Sequence, residues 1–223
     1  MGEKVELRAA DGHRLAAYVA RPKGTPRGAV VVVQEIFGVN RHIRAVTDGF
    51  AADGYLAVAP ALFDRIQRDY ETGYEPEDIA AGRALKDGTR LDDSVRDVSA
   101  AVEFARAGGE VAVVGYCWGG TVAWLAATRI DGIACAVPYY GGGIPEYAAE
   151  APRCPVLCHF GDKDTSPAPD AARAAVAKHK SVTAHFYPAG HGFNCDLRGS
   201  YHEESAKLAR ERTIAFLAKK IGS

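Results

Sequence analysis

Residues 115–119 read Gly-Tyr-Cys-Trp-Gly, a Gly-x-Cys-x-Gly frame that follows directly on the apolar run Val111–Val114. In such a frame a strand turns sharply into a helix and presents the central side chain at the tip, free to attack a bound substrate. Gly115 and Gly119 are required because so tight a turn leaves no room for a Cβ two residues before or after the nucleophile. The central residue is held in strained backbone geometry. Here it is Cys117, and no serine of the chain stands in a Gly-x-Ser-x-Gly frame. A buried cysteine in a glycine-rich turn is the plainer alternative, and the partners found elsewhere in the chain argue against it.

A thiol nucleophile needs a base, and the base needs a group to orient it. In α/β-hydrolases these follow the nucleophile as acid, then His, each in a loop after a later strand. After the apolar run Val156–Phe160 comes Gly161-Asp162-Lys163-Asp164; after Val182–Tyr187 comes Pro188-Ala189-Gly190-His191-Gly192-Phe193. Asp164 is preferred as the acid because Asp162 is better placed to hold the turn by bonding backbone two residues on. His191 is preferred as the base. His13, His42, His179 and His202 read as surface or helix residues, and His159 and His185 fall within strands. An oxyanion hole needs two backbone N–H groups. Trp118, next after the nucleophile, supplies one, and Ile36, in the loop Gln34–Asn40, the other. The aromatic residues beside these positions, Phe37, Tyr116 and Phe193, are expected to contact substrate.

The elements that must hold these loops are legible as an alternation. Val5–Leu7 and Leu15–Val19 bracket Asp11-Gly12 and predict a hairpin. Strands are then expected at Ala29–Val33, Tyr55–Ala59, Val111–Val114, Ile133–Val137, Val156–Phe160 and Val182–Tyr187. Helices are expected at Arg41–Ala52, Pro76–Lys86, Leu91–Ala107, Trp118–Arg129, Pro169–Lys178 and from about Tyr201 to Lys220, the last opened by a Ser200-x-x-Glu203 capping box. A hairpin followed by alternating strands and helices predicts one α/β domain over 1–223: a mostly parallel central sheet with helices on both faces. The catalytic loops then share the carboxyl-end rim of the strands, where such sheets bind ligands. Residues 60–75 lack clear periodicity and read as a wall or lid of the site.

Hydrophobic residues make up 48% and charged residues 25%, with a net charge of −1 and the charges scattered. That balance fits a globular core and gives no basic surface for nucleic acid and no polybasic membrane patch. No apolar run approaches the ~20 residues of a membrane helix. The five cysteines, with no apolar leader at the N-terminus, read as reduced thiols of a cytoplasmic protein. Cys154 and Cys158 are one residue too far apart for the usual Cys-x-x-Cys pair and read as buried structural residues, so no metal site is expected.

Taken together, Gln-Glu-Ile-Phe-Gly-Val-Asn (34–40), Gly-Tyr-Cys-Trp-Gly-Gly (115–120), Asp164 in its Gly-Asp-Lys-Asp loop and Ala-Gly-His-Gly-Phe (189–193) resemble the dienelactone hydrolase family, also called carboxymethylenebutenolidase, over almost the whole chain. The resemblance implies a compact α/β-hydrolase fold without a large cap domain. It also implies a Cys117–His191–Asp164 triad, with Glu35 as a fourth polar residue beside the thiol, and hydrolysis of a small-molecule lactone or ester through a thioester acyl-enzyme without metal or organic cofactor. A carboxylate near a thiol favours its neutral form, so Glu35 is expected to keep the resting thiol protonated and to help deprotonate it once substrate binds. One departure stands out. Family members that act on dienelactone hold the substrate carboxylate with arginines, one of them four residues after the catalytic His, and that position here is Cys195. Arg65, Arg68, Arg83 and Arg198 are nearby in sequence; Arg65, Arg68 and Arg198 read as solvated, so neutral lactones and short esters are expected to be preferred. A thioesterase or acyl-transfer enzyme on the same triad, or a silent α/β-hydrolase that binds a ligand, are the rival readings.

Overall fold

The computed structural model describes residues 2–222. Eight strands form one sheet in the order β1-β2-β4-β3-β5-β6-β7-β8. They are β1 (Glu3–Arg8), β2 (Arg14–Ala20), β3 (Ala29–Val33), β4 (Leu56–Pro60), β5 (Val111–Tyr116), β6 (Cys135–Tyr139), β7 (Val156–Gly161) and β8 (Val182–Tyr187). The hairpin β1–β2 joins the sheet through the antiparallel pair β2–β4, and every pairing from β4 to β8 is parallel. Every residue of β3, β4, β5, β6 and β7 is buried, as parallel strands covered on both faces must be.

Alternation along β3 shows the two layers. Val31 and Val33 pack with α3 (Leu91–Ala105) and α4 (Trp118–Arg129); Val30 and Val32 pack with α1 (Arg41–Ala52) and α6 (Glu203–Ile221). The short helix α5 (Pro169–Val176) adds Ala172 and Ala175 to the first layer. Helix α2 (Pro76–Gly88) is different: only Gly82 of it is buried, and it lies over Ile36 at the rim.

Three expectations need correction. The strand expected at Ile133–Val137 runs from Cys135 to Tyr139. Pro138 does not end it, because its missing donor faces β7, where the pairing with β6 is interrupted between Ala136 and Tyr139, while the pairing with β5 runs unbroken from Cys135 to Tyr139. The capping box at Ser200 does not form. The chain from 192 to 201 is a run of turns, and α6 starts at Glu203 with His202 as cap, its Nδ1 accepting from the Ser205 amide at 3.3 Å. Residues 60–75 are a scaffold element rather than a lid. A 3-10 turn covers Leu62–Arg65, and Arg65 forms a two-pronged pair with the buried Asp97 at 2.7 and 2.8 Å and reaches Asp11 at 2.9 Å. Arg65 is therefore paired and largely buried, not solvated, and neither it nor Arg68 lines the cavity described next.

Candidate active site

Cys117 stands between the end of β5 and the first turn of α4 with φ 55° and ψ −119°, a left-handed conformation that costs a non-glycine residue on the order of 1–3 kcal/mol. The surroundings impose it. A Cβ on Gly115 would lie 1.9 Å from the Gly119 carbonyl oxygen, and one on Gly119 would lie 2.3 Å from that of Gln34. The Cys117 amide donates to Tyr139 O at 3.1 Å and its carbonyl accepts from Gly120 at 2.9 Å, which pins both sides of the turn. Strain in the backbone is thus balanced by packing and hydrogen bonds on every neighbour.

Two later loops meet the thiol. His191 Nε2 lies 3.0 Å from Cys117 Sγ, and His191 Nδ1 lies 2.9 Å from Asp164 Oδ2. The second Asp164 oxygen accepts from the Ser166 amide at 2.8 Å, so the carboxylate is held at both ends. Asp162 faces away and pairs with Arg173 at 2.6 Å. Burial disfavours a charged His191, but the facing Cys117 sulfur and the Asp164 carboxylate outweigh it and push its pKa up to about 10. Tyr140, itself at φ 37°, packs edge-on against the imidazole at 5.2 Å.

These groups open into a cavity of about 630 Å³. Ile36, Phe37, Trp118, Thr121 and Tyr147 line it together with Cys117. Tyr116 and Phe193, expected at the substrate, do not line it. Both are buried in an aromatic cluster with Tyr139 and Tyr140, because their side chains leave the rim toward the α1–α6 layer. The wall expected from residues 60–75 is supplied by α2 instead, through Ile79, Arg83 and Lys86. Their i, i+4, i+7 spacing puts them on one helical face, a signal present in the sequence.

Arg198 is the largest departure. It is not solvated: its side chain is 17% exposed, lines the cavity, and donates from Nη1 to Glu35 Oε1 at 3.0 Å. The guanidinium also sits over Phe37 at 5.4 Å and Tyr74 at 5.8 Å. Turns closed by Cys195 N to Gly192 O and Arg198 N to Cys195 O fold it back. Gly192, at φ 77°, makes the return possible, since a Cβ there would lie 2.5 Å from Arg198 Nη1. Glu35 is 1% exposed, and its one side-chain hydrogen bond among the described residues goes to Arg198 rather than to Cys117. Burial, then the Glu35 carboxylate, raises the Cys195 thiol to about 11.

A parallel sheet, a strained elbow, and His and Asp in loops after later strands define an α/β-hydrolase. The dienelactone hydrolase family profile matches residues 15–221. A Synechocystis protein assigned as a carboxymethylenebutenolidase is 37% identical over 220 residues, 89% of each chain. Carboxymethylenebutenolidase 1 of Cupriavidus pinatubonensis is 31% identical over 228 residues, covering 98% of this chain and 97% of its own. The crystal structure of a Klebsiella pneumoniae protein assigned as a dienelactone hydrolase superimposes with a TM-score of 0.84 at 33% identity, over 98% of this chain and 99% of that one. The chain belongs to the dienelactone hydrolase family, and it is a hydrolase of that type. Among the described residues no helix is long and apolar enough to cross a membrane.

Proposed function

We propose that the protein hydrolyses lactones or short esters of carboxylic acids with Cys117 as nucleophile, His191 as base and Asp164 as orienting acid. The observation that carries this reading is the unbroken contact chain Cys117 Sγ–His191–Asp164 at 3.0 and 2.9 Å beside the cavity. With the proton shared by Cys117 and His191 resting on the imidazole, sulfur attacks the carbonyl carbon, and the amides of Trp118 and Ile36 receive the developing oxyanion. Collapse of the tetrahedral species breaks the carbon–oxygen bond, and His191 returns the proton to the departing alkoxide, which in a lactone stays tethered to the acyl chain. Water deprotonated by His191 then attacks the thioester, and the thiol leaves as the carboxylic acid forms. Glu35, held by Arg198, is the internal carboxylate that a substrate can set free by competing for the guanidinium.

The cavity also changes the expected substrate. Cys195 removes one arginine from the family pattern, but Arg198 reaches the cavity from three residues further on, and Arg83 lines it with no ion pair among the described residues. An acyl group bearing a carboxylate therefore finds a cation, and the reason for expecting neutral substrates falls away. Comparing kcat/KM for a carboxylated lactone with that for its methyl ester tests this. A preference for the free acid of about tenfold, roughly 1.4 kcal/mol, is expected, and it should shrink in Arg83→Gln. Equal rates for both forms refute the anchor, and turnover that survives Cys117→Ala refutes the nucleophile.

A further inference from the structure

Behind the nucleophile, three donors of different chemistry converge from three elements. One ligand atom each from Glu35, His42 and Cys195 lies within 4.8 Å of the others. All three residues are buried, at 1%, 5% and 0% exposure, so the donors face protein rather than solvent. Two of their atoms, Glu35 Oε2 and His42 Nε2, have no hydrogen-bond partner among the described residues. Buried polar atoms are nearly always satisfied, and leaving one unsatisfied costs about 1–3 kcal/mol. Two such atoms beside a buried thiol point to an occupant that none of the side chains provides.

We propose that Glu35, His42 and Cys195 bind one divalent transition-metal ion of the zinc class. A thiolate, an imidazole and a carboxylate together favour a borderline-soft ion over magnesium or calcium, which take oxygen ligands. Asp196 Oδ1 lies 3.3 Å from His42 Nδ1, the arrangement in which a carboxylate fixes the ring and leaves the other nitrogen to a metal. Charge balances as well: binding releases the Cys195 proton to solvent, so two ligand anions face a dication while Arg198 and Asp196 offset each other. Bond lengths of about 2.0–2.3 Å put tetrahedral donors about 3.5 Å apart, so the cluster must tighten by about an ångström, with water as fourth ligand. Access is short. Asp196, next to Cys195 in the chain, has its side chain 67% exposed, and Leu197 is 44% exposed. An ion here engages the Glu35 oxygen that Arg198 leaves free.

The test uses the full chain carrying Cys117→Ala, which removes the solvent-accessible thiol, stripped with a chelator and titrated anaerobically with cobalt(II). Expected is a thiolate-to-cobalt charge-transfer band that saturates at one ion per chain and is displaced by zinc. It should be lost on adding Cys195→Ala and weakened about tenfold by the surface change Asp196→Asn. A folded Cys117→Ala protein with no such band in a large excess of cobalt overturns the site, leaving water as the occupant. A band that survives Cys195→Ala overturns it too, because the thiolate is then another cysteine. The readout needs no turnover, so it stands or falls separately from the triad.

Discussion

The two ends of the active site are built in opposite ways. At the elbow, residues 115–120 position Cys117 almost entirely through their own backbone, two glycines and contacts with adjacent strands. Across the cavity, Arg198 is carried by consecutive turns to a partner that is not local, a glutamate 163 residues away in sequence. The first region tolerates no change of shape and is readable from a short motif. The second needs only a cation at the right place in space, so the chain can supply it from a different sequence position.

Changes at the elbow should therefore be the most severe. Cys117→Ala and His191→Ala are each expected to lower kcat by about 10⁴–10⁶-fold with far-UV circular dichroism unchanged, because the residues act as one unit. Gly119→Ala should in addition lose the fold's stability, since its Cβ has no space against Gln34 O; an unchanged melting temperature would show that the elbow can relax. Asp164→Asn should cost about 10⁴-fold in kcat by freeing the wrong His tautomer, whereas Asp162→Asn, which breaks only the exposed pair with Arg173, should be close to wild type. Equal losses from the two would remove the distinction drawn between them.

On the other side of the comparison, Arg198→Ala strands the buried Glu35 carboxylate and should destabilise the protein by about 3–5 kcal/mol in urea unfolding. Its effect on kcat for a neutral ester should remain far below that of the elbow changes. A neutral melting profile would mean that Glu35 is already satisfied without Arg198.

The smallest effect is spectroscopic. NMR titration of His191 should place its pKa near 10 in the wild type and lower in Cys117→Ala, which loses the facing sulfur. Because the folded pKa lies above that of an unfolded imidazole, the stability this ionisation contributes is complete below about pH 6.5 and fades as pH rises through 10. A pKa unmoved by Cys117→Ala would assign the upward shift to Asp164 alone.

Most of the layered fold was legible, because parallel strands buried on both faces read as continuous apolar runs and the helices between them carry their own periodicity. The misses have local causes. Pro138 concealed the end of β6, and the turns after His191 displaced the start of α6 from Ser200 to Glu203. His42 sits at the second position of α1 and reads as a surface residue, yet it is buried beneath the turn that carries Cys195 and Asp196.

By itself the sequence determined the elbow, the order in which Cys117, Asp164 and His191 follow one another, and the layered sheet that brings their loops to one rim, since each rests on short-range geometry or on period. Only the tertiary structure decided which wall closes the cavity, where Glu35 finds its cation, and that Glu35, His42 and Cys195 share a buried space. Those outcomes depend on where a turn returns the chain, and sequence separation carries no information about that distance.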